Sequence, residues 1–227
     1  MRPTLADDIR AIPHFRALSD EEVERLAARV SVRHYGFREI IVAEDEPSAG
    51  LYYLRSGKAR IYRAGVEGRE QTLRLIAPGD TFGEVPVFDQ GMNPSTVEAI
   101  EPSTVVVVPA HVFIALVEAN PAVAMHLLRH FARRMRSFTE LIQQISTQTV
   151  PSRLARYLYQ LAREEGISTA EGVVVPRAIT QQDLASLLGS VREVISRTLH
   201  TMAEDGIIEV RRGDILIRDI KGLERLI

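Results

Sequence analysis

From about Val32 to Val108 the chain carries short apolar segments, several of them alternating with polar residues, and turn signals separate them. Leu51-Tyr52-Tyr53-Leu54 runs into Ser56-Gly57, Ala59-Arg60-Ile61-Tyr62 into a loop from Gly65 to Gly68, and Leu73-Arg74-Leu75-Ile76 into Pro78-Gly79-Asp80. Successive strand side chains point to opposite faces, so brief apolar runs between glycine turns predict an all-β sandwich or barrel. Ahead of them, Ser19-Asp20-Glu21-Glu22 leads into Val23, Leu26, Ala27 and Val30, the pattern of a capped short helix closing one end of the β domain.

Beyond Asn120-Pro121 the period lengthens. Ala124, Leu128, Phe131, Met135, Phe138, Ile142 and Ile145 are spaced 4, 3, 4, 3, 4 and 3 residues apart, the a/d repeat of a coiled coil. This predicts a long helix whose seam, Leu128, Phe131, Met135, Phe138, Ile142 and Ile145, meets a second copy. An amphipathic helix lying on its own domain has similar spacing, and Leu127, Ala132 and Leu141 widen the apolar face in that direction. The expectation is a face that does both. A break at Thr147-Gln148-Thr149-Val150-Pro151 predicts a hinge, with Thr149 or Val150 preceding a proline suited to a first helical turn. Helical spacing resumes at Leu154, Leu158 and Leu161 and ends at Glu165-Gly166, and a loop and short strand follow, Gly172 to Pro176. The expected division is a β domain over 1–118, a dimerisation helix over 119–148 and a C-terminal domain over 149–227.

Thr180 to Leu199 is the most informative stretch. Thr180 and Asp183 have capping-box spacing, Leu184, Ala185, Leu187 and Leu188 give a first helix its buried face, and Gly189 allows a sharp turn. Ser190 is placed to cap a second helix that buries Val191, Val194, Ile195, Thr198, Leu199 and Met202. Arg192, Glu193, Ser196 and Arg197 are left on its outer face near the start, where a recognition helix meets base edges. An arginine fork donates two bonds to guanine, a carboxylate accepts from the amino group of cytosine, and serine serves either base. The same face occurs as a solvated salt-bridge surface. Helix, glycine turn, serine and the following hairpin together favour DNA. In that hairpin, Ile207 to Val210 and Ile215 to Arg218 flank Arg211-Arg212-Gly213-Asp214, a wing whose Arg211 and Arg212 can meet phosphates. His200, Ser190 and the donors of Thr180, Gln181 and Gln182 would help position the helix without reading sequence.

Composition narrows the alternatives. With 227 residues, 45% hydrophobic, and a net charge of -2, the chain can bury two cores but is not a basic protein that coats nucleic acid. Local geometry must therefore bind DNA. No cysteine is present, which excludes disulfides, thiolate zinc sites and cysteine-ligated iron–sulfur clusters. The opening MRPTLADDIRAIPHF lacks a secretory apolar stretch, and the longest aliphatic run, Val105 to Val108, is too short to cross a bilayer, so a cytoplasmic protein without membrane contact is expected. No nucleophile–base pairing, phosphate-cradling loop or HExxH motif appears, and no enzyme, cofactor or metal site is expected. His126 and His130, four apart, are the tempting haem ligands, yet their register places them off the seam, in a surface or structural role. His14, His34, His111 and His200 show no ligand spacing.

Leu51-Tyr52-Tyr53-Leu54-Arg55-Ser56-Gly57, Pro78-Gly79-Asp80-Thr81-Phe82-Gly83-Glu84 and Arg192-Glu193-x-x-Ser196-Arg197 resemble the roll signatures and recognition helix of the catabolite activator / fumarate-nitrate regulator (CRP/FNR) family. The resemblance implies an α+β chain: an N-terminal cyclic-nucleotide-binding-like β-roll (double-stranded jelly roll), a long dimerisation helix and a C-terminal winged helix-turn-helix. It implies a homodimer on near-palindromic double-stranded DNA. Members with arginine, glutamate and arginine at the Arg192, Glu193 and Arg197 positions read TGTGA-type half-sites. Ser196 beside Arg197 also occurs in TTGAT-type readers, which lack the first arginine, so TGTGA is favoured. A regulatory or scaffold module without DNA contact is the alternative, against which Arg192 and Arg197 speak.

The resemblance also places an effector pocket at Gly83, Glu84, Ser95, Thr96, Phe138 and Thr139. Members responsive to cyclic AMP neutralise the phosphate with an arginine, where this chain has Pro94, and their adenine-reading Thr-Ser pair falls on Phe138-Thr139. Loss of the cation argues against cyclic AMP. Arg74 or Arg134 offers a substitute charge, leaving open a different small anionic effector, or none. In activating relatives the loop corresponding to Glu164–Arg177 touches RNA polymerase, a possible partner here if the protein is an activator.

Overall fold

The computed structural model describes residues 4–65, 70–176 and 180–227. Within the sequence expectations, residues 66–68 of the Gly65–Gly68 loop and Arg177 of the Glu164–Arg177 loop lie outside the described residues. Two compact units divide the chain, Met1–Arg63 with Leu73–Ser137 and Ala64–Thr72 with Phe138–Ile227.

The first unit opens with α1 (Leu5–Ala11), a tight turn at Pro13–Phe15, and α2 (Asp20–Ala27). Both helices begin with reciprocal caps, Thr4 with Asp7 and Ser19 with Glu22, each satisfying amides that a helix start leaves bare. Strands β1 (Ser31–Tyr35), β2 (Ile40–Val42), β3 (Gly50–Ser56), β4 (Ala59–Ala64), β5 (Glu70–Ile76), β6 (Thr81–Phe82), β7 (Thr96–Ala99) and β8 (Ser103–Pro109) form sheets ordered β1-β8-β3-β6 and β2-β7-β4-β5. The unbroken Val105–Val108 run needs two cores. Val105 and Val107 pack with Leu54, Ile61 and Phe82 inside the roll, while Val106 and Val108 pack with Phe15, Phe113 and Leu127 beneath the helices. Leu51 and Tyr53 against Tyr52 and Leu54 in β3 repeat that partition. With both faces covered, period two is masked in the sequence.

Following α3 (Val85–Asp89) and β8, α4 (Ala110–Ala119) meets α5 (Pro121–Thr147) at a 112° bend. No single helix among the described residues is long and apolar enough to cross a membrane. The apolar residues of α5 divide into two sets. Val123 and Leu127 are buried in the helical core of the roll, whereas Leu128, Met135 and Ile142 are 61%, 68% and 66% exposed. Phe131, expected in the seam, is half-buried: it packs on the roll core and meets the Phe88 ring at 5.9 Å.

In the second unit, α6 (Val150–Glu164) starts at Thr149, whose hydroxyl accepts from the Ser152 amide. Next come β9 (Ile167–Thr169), β10 (Gly172–Pro176), α7 (Gln181–Leu187), α8 (Arg192–Glu204), β11 (Ile208–Val210), β12 (Asp214–Ile217) and α9 (Ile220–Arg225), with the sheet ordered β11-β12-β10-β9. Leu154, Leu158, Leu184, Ile195, Leu199 and Ile215 lie in one core.

Candidate nucleic-acid interface

The helix pair α7–α8 is built by its own sequence. Thr180 Oγ1 accepts from the Asp183 amide at 3.1 Å, and Asp183 Oδ2 accepts from the Thr180 amide at 3.2 Å, closing the predicted capping box. The box occupies the Thr180 hydroxyl and amide that were expected to face phosphate. The amides of Gln181 and Gln182, in the first turn, are among those a helix start leaves without an intrahelical partner. Gly189 takes φ +61°, the left-handed turn that costs other residues strain. Ser190 corrects the expectation: extended Val191 occupies the cap position of α8 and no side chain caps it, so the Ser190 hydroxyl lies one residue too early.

On α8, Ile195, Thr198, Leu199 and Met202 are buried, Val191 and Val194 half-buried, and Arg192, Glu193, Ser196 and Arg197 exposed. A surface concavity of about 460 Å³ is lined by Gln181, Arg192, Glu193, Ser196, Arg197 and His200, so residues spread along the sequence converge on one face. His200 sits 3.3 Å from Glu204 one turn on.

The wing differs more. Arg211, expected to face phosphate, instead donates to Glu209 at 2.8 Å and Glu171 at 2.7 Å. Hydrogen bonds from Arg211 and Arg218 pull the Glu209 carboxyl down to about 2. Arg212 is exposed at the hairpin tip beside Gly213, which has φ +97°. Arg218 lines a second concavity between α8 and the wing, with Ser196 and Glu209; its position after a strand gave no signal.

Residues 32–120 match the cyclic nucleotide-binding domain family and residues 152–226 the Crp-like helix-turn-helix domain family. The chain is 30% identical over 218 residues to the cyclic AMP receptor protein of Thermus thermophilus, covering 96% of this chain and 98% of that one. The chain belongs to the CRP/FNR family. A CRP-like cAMP-activated global transcriptional regulator of Mycobacterium tuberculosis is 29% identical over 211 residues, 93% of this chain and 94% of the relative. The crystal structure of a CRP/FNR-family regulator from Eubacterium rectale superimposes with a TM-score of 0.77 at 26% identity, covering 96% of this chain and 98% of that one. These relatives are transcription regulators, not enzymes, and this CRP/FNR chain is a DNA-binding transcription regulator.

The effector-side residues of this CRP/FNR regulator are engaged differently from the sequence expectation. Gly83 has φ +80°, and a Cβ there would lie 2.5 Å from the Tyr52 ring. Glu84 is 3% exposed; its Oε1 bonds His130 Nε2 at 3.3 Å, while its Oε2 is buried without a hydrogen-bond partner among the described residues, so only one oxygen of the carboxylate expected to hold a ribose hydroxyl is engaged within the protein. Burial alone would raise the Glu84 pKa, but the bond from His130 and the nearby His14 hold it below the usual value. His14 Nε2 lies 2.8 Å from Thr81 Oγ1, and its ring packs edge-on against His130 at 4.7 Å. Burial, then the neighbouring His130, push His14 down to about 4. Positions 14, 84 and 130 have no common spacing, which is why the sequence does not reveal this cluster. Thr96 Oγ1 accepts from the Glu44 amide, Ser95 is half-buried, and Pro94 is exposed. Phe138 and Thr139 belong to the second unit. Arg74 pairs with Asp80 at 2.8 Å beside a cavity of about 280 Å³ that Thr81, His130, Arg133 and Arg134 also line.

Proposed function

We propose that the protein acts as a homodimer on a near-palindromic TGTGA-like site, with Arg192, Glu193, Ser196 and Arg197 reading bases. The observation that carries this reading is the outward projection of those four side chains from the first two turns of α8, beside Gln181 and His200. Arg212, the Gln181 and Gln182 amides and His200 hold phosphates, and Arg211 joins them by exchanging its carboxylate partners. The exposed Leu128, Met135 and Ile142 stripe forms the dimer seam with Phe138 and Ile145. Where the protein activates, the β9–β10 hairpin, with its 67% exposed Ile167, is the surface for RNA polymerase.

The effector differs from the cyclic AMP for which the Thermus and Mycobacterium relatives are named. Pro94 supplies no cation, and one oxygen of Glu84 is already bonded to His130. Arg74, Arg133 and Arg134 favour another small anion, or the dimer binds DNA without one. Fluorescence anisotropy with a labelled TGTGA palindrome tests both parts. Binding that falls steeply with salt and discriminates against TTGAT is expected. Equal affinity for scrambled DNA refutes the base-reading assignment, and an affinity gain above about tenfold on adding cyclic AMP refutes the effector reading.

A further inference from the structure

Arg153, in the first turn of α6, is 7% exposed, and among the described residues no charged group compensates its burial. Its guanidinium donates instead to backbone carbonyls: Nη1 to Gln148 at 2.6 Å and Gln144 at 3.5 Å, Nε to Leu188 at 2.7 Å, and Nη2 to Gly189 at 3.3 Å. Gln144 and Gln148 stand at the C-terminal end of α5, and Leu188 and Gly189 end α7 and make the turn into α8. Helix C-termini carry bare carbonyls and partial negative charge, so one cation bridging two of them answers both needs. The planar five-donor fork of arginine can reach four carbonyls together, whereas a lysine ammonium presents a single point of charge with three donors.

We infer that Arg153 is a positioning residue: it locks the turn of the helix-turn-helix to the end of the long helix and thereby sets the half-site spacing that the regulator accepts. The inference rests on the dimer reading proposed above. Arg192 begins α8 three residues after Gly189, so the placement of that turn is passed directly to the base-reading face. Two recognition helices in successive major grooves lie about 34–36 Å apart, and a spacer change of two base pairs moves a half-site by about 7 Å. A fixed clamp tolerates one spacing; a loosened one accepts several.

The test is anisotropy on TGTGA palindromes with the reference spacer and with spacers two base pairs longer or shorter, using the wild type, Arg153→Lys and Arg153→Gln. The wild type is expected to prefer one spacer by about tenfold or more. Both variants should bind that site about tenfold more weakly and narrow the spacer preference to within about threefold, while the penalty for a mismatched half-site base stays unchanged. Far-UV circular dichroism checks folding; if Arg153→Gln does not fold, Arg153→Lys decides. A folded variant that keeps the wild-type spacer preference overturns the inference, as does a variant that loses base discrimination together with affinity. A wild type without any preferred spacer overturns the dimer reading itself, and the inference with it.

Discussion

Acidification should destabilise the first unit through His14, and the size of the effect follows from its surroundings. The imidazole is 2% exposed, bonds Thr81, lies against His130, and faces His126, Arg133 and the carboxylate of Glu84. Burial and the neighbouring His130 lower its pKa from 6.5 to about 4, so the folded state disfavours the proton that the unfolded chain accepts. Stability is therefore complete well above pH 6.5 and declines as pH falls from there towards 4. Between pH 8 and 5 the linkage amounts to about 2 kcal/mol, and full traverse of the window to about 3 kcal/mol. Glu84, held low by His130, adds to acid sensitivity only as pH falls into and below the usual carboxylate range, so most of the His14 window lies above its contribution.

His14→Gln retains an amide near the Nε2 position for Thr81 and removes the titration. Urea unfolding followed by far-UV circular dichroism at pH 5, 6, 7 and 8 should show the wild type losing about 2 kcal/mol more than the variant across that range. Parallel pH profiles for the two proteins would refute the reasoning, because the burial of a neutral imidazole would then carry no proton linkage.

Four further outcomes are expected. Arg192→Ala should weaken binding by about 1–3 kcal/mol and relax preference at one base pair, whereas Arg212→Ala should weaken all sequences alike and reduce the salt slope by about one; anisotropy on mismatched and scrambled sites separates them. Thr180→Ala should cost about 1–2 kcal/mol of stability in urea titration, because it uncaps α7 and strips the 8% exposed Asp183 of a hydroxyl partner. Ile142→Glu should yield monomers in sedimentation velocity with unchanged circular dichroism, since that side chain is 66% exposed on α5.

Legibility in the sequence followed the range of the interactions. The α7–α8 pair was readable because its cap, apolar face and glycine turn all lie within about twenty residues and each has a local physical cause. The apolar stripe of α5 was readable from period alone, but heptad position cannot show that Phe88 and the roll core lie against Phe131. Ser190 failed by one residue because extended Val191 pre-empts the cap. Exposed β9 has no apolar alternation to detect. His14, Glu84 and His130, and likewise Arg153 with its carbonyls, are joined across 35 residues or more in part or whole, and backbone acceptors leave no trace in residue identity.

The commitments of Arg211 bear on how a chain of net charge -2 holds a polyanion. Its partners Glu209 and Glu171 are surface carboxylates, with side chains 39% and 59% exposed, and ion pairs in that setting are weak because water and salt compete for both charges. Exchanging such a carboxylate for a phosphate therefore costs little, while the pairs keep Arg211 from presenting uncompensated positive charge to every nucleic acid it meets. In the base-reading role proposed above, discrimination falls to α8, where exposed Arg192 and Arg197 line a surface concavity. Affinity in this arrangement comes from contacts made only once the helix is seated, which is how a nearly neutral protein can bind a chosen site tightly and the remaining DNA weakly.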